Sequence, residues 1–330
     1  MEQLQVESLD LQYRTQRGPV QALQGVSLQV RKGEVLGLVG ESGCGKTSLA
    51  RAITGEMPRN ASIGQGAIRW KGVDLLGLSK AEHRQRRWRD FAFVPQSAMN
   101  ALNPVHRVGD QLGEVLMQRG AMGKNAARAR VDELFDQVGI DRKRLRDYPH
   151  QFSGGMRQRI SIAMALALQP ELVIADEPVT ALDVIVQRQI LDLILGLQKS
   201  LHLSMIMVTH DVSVIAYVCD SVVVMYAGQV VETGPVAQVL QSPLHPYTMG
   251  LTRAFPDLEQ NIGVLRPIEG SPPDLLRPPA GCRFAERCPF ALATCRQESP
   301  PLLAQPSSER AVACWRADEA AQLRQQWELA

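Results

Sequence analysis

The 330-residue sequence has no apolar run approaching the ~18 residues that a membrane-crossing helix needs, and no basic-apolar-small segment at its start to mark an export signal. The protein is therefore expected on the cytosolic side, with any membrane span it works through supplied by other chains. Net charge is also scarce. Lys and Arg number 36 against 34 Asp and Glu, leaving +2, which gives no ground for a dedicated nucleic-acid surface or an acidic partner. The densest basic run, Arg84 to Arg89, reads as a solvated helix face rather than a binding patch. What the chain does have is 45% apolar residues, enough core for about two globular domains.

The most informative stretch is VLGLVGESGCGKTS. An apolar run, Val35 to Val39, stops at Gly40, and Gly40, Gly45, Lys46 and Thr47 then fall at the spacing of a phosphate-binding loop. Gly40, Gly43 and Gly45 lack a Cβ and let the backbone curl so that its N–H groups point at an anion. The following residues read as a helix whose N-terminal partial charge faces the same anion. Lys46 adds a mobile full charge for the β and γ phosphates, and Thr47 offers a hydroxyl to Mg²⁺. The bland alternative is a glycine-rich turn that binds nothing. The full motif in a strand-loop-helix setting argues against it.

Upstream, Leu4 and Val6, then Leu9, Leu11 and Tyr13, alternate as strands do, and Val20 to Leu23 and Val26 to Val30 continue the pattern. Tyr13 is by default a sheet aromatic; stacking against a purine is the functional alternative. Downstream come two short strands and a turn over 64–79, a basic helical stretch, and the strand FAFVPQ, which leaves Gln96 at its end. From about Leu102 to Tyr148 the pattern is helical, with Val131, Leu134, Phe135 and Val138 at i, i+3, i+4 and i+7 and Gly139 placed to cap. Ser153 is placed to cap the next helix, where Gly154 and Gly155 permit close backbone approach at a second anion-ready terminus. The strand LVIADE sets Asp176 and Glu177 at its C-terminal tip, where ligands bind in parallel α/β sheets. One carboxylate there can hold Mg²⁺ and the next can orient a water. A last apolar strand, Met205 to Val208, ends in Thr209 and His210, where a lone histidine is by default structural, and a hairpin over 221–234 closes this part.

In this order GESGCGKT, Gln96, FSGGMRQR, LVIADEP, Ala181-Leu182-Asp183 and His210 resemble the nucleotide-binding subunits of ATP-binding cassette (ABC) transporters, over about residues 3 to 235. The resemblance implies an α/β P-loop NTPase fold with a RecA-like core, an antiparallel β subdomain and a helical subdomain at about 97–165. It implies ATP and Mg²⁺ as cofactors, with nucleotide contacts from Tyr13, Gly40, Ser42, Gly43, Cys44, Gly45, Lys46, Thr47, Ser48, Gln96, Asp176 and Asp183. Thr47, Gln96 and Asp176 would serve Mg²⁺. Glu177 becomes the catalytic base, Gln96 the Q-loop and His210 the switch. Ser153, Gly154 and Gly155 would complete the site of a facing cassette. Phe152 stands where Leu is usual and Val179 where Thr is common, and neither change removes a catalytic group.

After residue 235 the segment SPLHPYTMGL and the Pro-rich stretch from Ile268 to Cys282 resemble the C-terminal extension of dipeptide and oligopeptide importer ATPases, here 236–330. The resemblance implies two permeases, an extracytoplasmic peptide-binding protein and a second, different cassette as partners, with the chain peripheral on the cytoplasmic face of the inner membrane. Importers of another solute, nickel or a sugar, are the alternative. A soluble ABC ATPase of repair or translation is disfavoured, because Lys46 to Ser153 is too short for a coiled coil and lacks heptads.

Four of the six cysteines, Cys282, Cys288, Cys295 and Cys314, cluster near the C-terminus. A cytosolic setting argues against disulfides, and the tight Cys pairs usual for structural zinc are missing. Four thiolates can also hold a [4Fe–4S] cluster, and the subfamily resemblance favours that over zinc. Such a site would pin an extension with little core of its own. Cys44 and Cys219 read as small buried residues.

Overall fold

The computed structural model describes residues 2–96, 102–253, 268–306 and 308–329. The first five residues of the expected helical insert therefore lie outside the described residues. The chain divides into two compact units, Met1–Val30, Val35–Leu76 and Thr209–Ala330 in one and Arg31–Glu34 and Gly77–Val208 in the other.

In the first unit, strand Glu2–Thr15 lies between Gly18–Arg31 and Ala67–Trp70, and Ala67–Trp70 pairs antiparallel with both it and Val73–Asp74. The hydrophobic phase of Glu2–Thr15 changes parity between Val6 and Leu9, which in a regular strand would turn one set to solvent. Ser8 absorbs the slip. Its φ is +43°, its N–H donates to Ser27 Oγ at 2.9 Å, and Leu4, Val6, Leu9 and Leu11 are all buried. Beyond the kink the strand changes partner, from Ala67–Trp70 to Ala61–Ile63.

A second group of strands in this unit carries the phosphate loop. Val35–Val39 runs parallel to Ser221–Tyr226, which forms the expected hairpin with Gln229–Pro235, kinked by a bulge between Val224 and Met225. Ala311–Val312 then pairs antiparallel with Glu232 and Thr233, and Leu303–Ala304 pairs with Ala311–Val312. The segment after residue 235 thus extends the same run of strands as the phosphate-loop strand. It shares a core as well: Val39, Val224 and Tyr226 are buried in one cluster with Val239, Tyr247, Leu251 and Phe284. The expectation of an extension with little core is overturned, because its aromatic residues fill the space beside the phosphate-loop strand.

In the second unit, Phe91–Val94, Leu172–Asp176 and Ser204–Thr209 pair in parallel. All five residues of Leu172–Asp176 are buried, as a strand covered on both faces requires. The helices Val108–Gln118 and Lys124–Gln137 follow the apolar spacing, with Val131, Leu134, Phe135 and Val138 buried. Gly139, at φ +68°, ends the second helix and donates to the carbonyl of Asp136.

Candidate nucleotide-binding site

The phosphate loop leaves its buried strand at Gly40, where a Cβ would lie 2.1 Å from the carbonyl oxygen of Met225, so no other residue fits. It re-enters regular structure at Gly45, whose φ of +106° lies in the left-handed region and starts the helix Lys46–Thr54 without a side-chain cap. The first-turn N–H groups are thus left to face a ligand rather than a capping oxygen. Lys46 is buried, its Nζ donating to the carbonyl oxygens of Gly40 at 2.6 Å and Glu41 at 3.0 Å. An ammonium held by neutral carbonyls keeps its full charge for an incoming anion. The side chain of Tyr13 is half-buried and its hydroxyl hydrogen-bonds Ser48 Oγ at 3.0 Å, which brings the aromatic against the phosphate-loop helix. Burial raises the Cys44 thiol above its ordinary range, keeping it neutral beside Lys46. Ser42 and Gly43 are exposed on the loop, and His210 is exposed in the turn between Thr209 and the Asp211-capped helix Val212–Val218.

In the second unit Asp176 is buried at the tip of its strand, and Glu177 follows with φ at +48°, a costly conformation for a residue with a Cβ. Its N–H is held by the carbonyl of Val208 at 2.7 Å. One oxygen of its carboxylate, Oε2, accepts from Gln96 Nε2 at 2.6 Å and from Thr180 Oγ1 at 3.1 Å. Gln96 and Glu177, 81 positions apart, are therefore brought together. Ser153 caps the helix Gly154–Ala165, its hydroxyl accepting from Met156 N at 3.3 Å. Asp183 caps Val184–Leu201 by accepting from Val186 N at 3.0 Å. These two helix starts touch: a Cβ on Gly155 would stand 2.5 Å from Val186 Cγ1, and one on Gly154 3.4 Å from Leu182 Cδ2.

Cys282, Cys288, Cys295 and Cys314 line one small cavity together with His245, Phe284, Phe290 and Trp315. Backbone N–H groups point at the sulfurs, from Leu292 to Cys295 and from Arg316 to Cys314, each at 3.4 Å. Burial pushes the Cys288 thiol up to about 12 and that of Cys314 to about 11. Among the described residues, however, no group of three or more His, Cys, Asp or Glu side chains is placed to hold a metal ion. The expected [4Fe–4S] ligand set is therefore not supported as such: the four thiols converge on a cavity without taking up ligating positions.

Residues 23–180 match the family model described as ABC transporter, and residues 231–295 match that of the oligopeptide/dipeptide transporter C-terminal region. The dipeptide transport ATP-binding protein DppD of Bacillus subtilis is 46% identical over 97% of this chain and 96% of its own. The chain belongs to the ABC transporter ATP-binding protein family. The oligopeptide transport ATP-binding protein OppD of Salmonella typhimurium is 44% identical over 95% of this chain and 93% of its own. Among solved structures, the ATP-binding cassette MJ0796, in a dimeric post-hydrolysis state bound to ADP and Pi, superposes with a TM-score of 0.63 at 25% identity, covering 71% of this chain and 98% of that one. An ABC ATPase couples ATP hydrolysis to transport, and the fold is that of a P-loop α/β cassette. Among the described residues of this cassette, no helix is long and apolar enough to cross a membrane.

Each unit also contains residues that sequence reasoning missed. Thr180 supports the Glu177 carboxylate, and Glu41 is bonded to Tyr247 and Arg287. Tyr247 lies inside the HPY segment that marked the extension, yet its target lies 206 positions away. No periodicity or local motif reports a contact at that separation.

Proposed function

We propose that this chain is the ATP-hydrolysing subunit of an importer for dipeptides or oligopeptides. The observation that carries the reading is the likeness to peptide transport ATP-binding proteins, continuous through both the cassette and the C-terminal region. In this reading residues 1–235 form the nucleotide-binding domain, with a helical subdomain at about 97–165, and 236–330 form the importer-type extension.

Lys46 and the N–H groups of Gly40 to Ser48 hold the β and γ phosphates, and Tyr13 stacks on the adenine. Thr47, Asp176 and Gln96 serve Mg²⁺, and the ion supplies charge neutralisation on the phosphates. Glu177 orients and deprotonates the attacking water, aided by His210. The Gln96 and Thr180 hydrogen bonds to Oε2 hold the base in one orientation before substrate arrives. Ser153, Gly154, Gly155 and Asp183 act across a cassette pair, sealing the nucleotide of the facing subunit. Hydrolysis then resets a closure that ATP binding drives, because only a ligand with different affinity for the open and closed pair can shift that equilibrium.

The partners in this reading are two permeases, an extracytoplasmic peptide-binding protein and a second, different cassette, with this chain peripheral on the cytoplasmic face of the inner membrane. A structural [4Fe–4S] group on Cys282, Cys288, Cys295 and Cys314 rests on the chemistry of the donor set and the N–H groups aimed at sulfur, and it would require the thiols to move into ligating positions they do not occupy in this structure. Iron and sulfide analysis of anaerobically purified protein tests it, and zinc in place of iron overturns it. For the transport reading, the chain is captured from solubilised membranes and the associated chains are identified by mass. Two polytopic chains, with ATP-dependent peptide uptake that disappears in the Lys46→Ala strain, are the expected result. Uptake of a sugar or nickel instead, with peptide uptake unaffected, rejects it.

A further inference from the structure

The phosphate loop is gripped by residues from outside its motif, and the grip falls on Glu41. The N–H of Glu41 donates to the Tyr247 hydroxyl at 2.8 Å. Its carboxylate receives the Arg287 fork, Nη1 on Oε2 at 2.8 Å and Nη2 on Oε1 at 3.1 Å. Its carbonyl accepts from Lys46 Nζ at 3.0 Å. Every polar group of the residue after Gly40 is therefore engaged, and the last of them is the lysine that meets the phosphates.

Both gripping side chains are themselves fixed. The Arg287 side chain is only 7% exposed. Its Nε donates to the Glu269 carbonyl at 2.8 Å, its Nη2 to the Ile268 carbonyl at 3.1 Å and its Nη1 to the Tyr226 hydroxyl at 3.2 Å. Tyr247 is fully buried, with its ring 4.6 Å from that of Tyr226 and 5.5 Å from that of Phe284. The helix Pro246–Arg253 that carries it is anchored at its start by buried Glu232, which accepts from Leu244 N and His245 N. His245 Nδ1 in turn accepts from Tyr247 N at 3.0 Å. A rigid support of this kind holds its target without reorganising when ligand arrives.

Charge gives the arrangement its second consequence. A carboxylate in a loop that takes a triphosphate opposes the ligand unless it is neutralised, and a two-pronged guanidinium does so with fixed geometry. We propose that Arg287 and Tyr247 are positioning residues for ATP: by holding Glu41 they set the phosphate loop and screen its carboxylate from the triphosphate. The inference rests on the nucleotide-binding reading and extends the nucleotide site into the C-terminal region. Because the brace acts alike before and during hydrolysis, its removal raises KM for ATP and leaves kcat nearly untouched.

The test uses the full-length chain purified with its membrane partners, measuring ATPase kinetics and binding of a fluorescent ATP analogue. Arg287→Ala is expected to raise KM by about tenfold, the scale of a lost charged hydrogen bond. Tyr247→Phe is expected to raise it several-fold. Glu41→Gln placed on Arg287→Ala is expected to recover most of the lost affinity, because the exposed charge is then gone. Arg287 lies one position before Cys288, so metal content and melting temperature are read on each variant. Should Arg287→Ala fail to fold, Arg287→Lys and Tyr247→Phe carry the test, with a raised KM at unchanged melting temperature expected. Wild-type KM in those variants, or a Glu41→Gln double variant no better than Arg287→Ala, overturns the brace. A wild-type chain that does not bind the analogue removes the nucleotide reading itself.

Discussion

Glu177 and His245 show how a single residue's surroundings set its chemistry. The backbone of Glu177 is held in a left-handed conformation by Val208, and its carboxylate by Gln96 and Thr180. If that carboxylate is the base, Glu177→Gln lowers turnover by on the order of a hundredfold, while binding of a fluorescent ATP analogue stays at the wild-type level. Near-normal hydrolysis in that variant removes Glu177 from the role. His245 is set by burial instead: full burial lowers it from 6.5 to about 3 and keeps it neutral. A base whose folded value lies below its unfolded one stabilises the fold fully above the unfolded value and loses that contribution as pH falls toward the folded one. Melting temperature is therefore expected to drop between pH 6.5 and 4 more steeply in the wild type than in His245→Asn. Parallel pH profiles would show that His245 takes up its proton equally in the folded and unfolded chain, so that burial does not hold it uncharged.

At the scale of elements, the two helix starts in the second unit are interlocked. Ser153 and Asp183 each cap their own helix, and the absent Cβ of Gly155 is what lets Val186 sit where it does. Val is stiff at χ1 and cannot swing aside. Gly155→Ala is expected to lower the melting temperature by a few degrees, corresponding to about 1–3 kcal/mol of overpacking, and Val186→Ala added to it restores most of the loss. Thermal denaturation of the two single variants and the double variant checks this. The first strand teaches a related lesson about register. Its hydrophobic pattern changes parity at Ser8, and the kink there lets Leu4, Val6, Leu9 and Leu11 all be buried.

For the whole chain, the C-terminal region is part of the phosphate-loop unit rather than an appendage. Tyr247, Leu251 and Phe284 share a core with Val39 and Tyr226, and Ala311–Val312 pairs with Glu232 and Thr233. A chain stopped after Pro235 leaves those apolar faces bare, at about 1.5–3 kcal/mol for each large side chain. It is expected to be insoluble or to melt far below the full-length protein, and a truncated cassette with wild-type melting and ATP binding would refute that. A milder probe is Phe284→Ala, expected to cost about 3–5 kcal/mol in denaturant unfolding.

The sequence by itself determined what depends on neighbours along the chain. Glycines at loop spacing, Lys46 and Thr47 after a buried strand, a capping Ser153 and Asp183, and the acidic pair after LVIAD each state their chemistry within about ten residues, because turns, caps and strand ends are local structures. The apolar helical stripe from Val131 to Val138 and the hairpin over 221–234 were legible for the same reason, and both are found in the structure. Only the tertiary structure decided that Gln96 meets Glu177, that Tyr247 and Arg287 hold Glu41, and that the cysteine-rich region is packed rather than merely pinned. Those contacts join residues 81 to 246 positions apart. The free energy that selects them comes from burying aromatic surface and neutralising charge in three dimensions, which leaves no periodic trace along the chain.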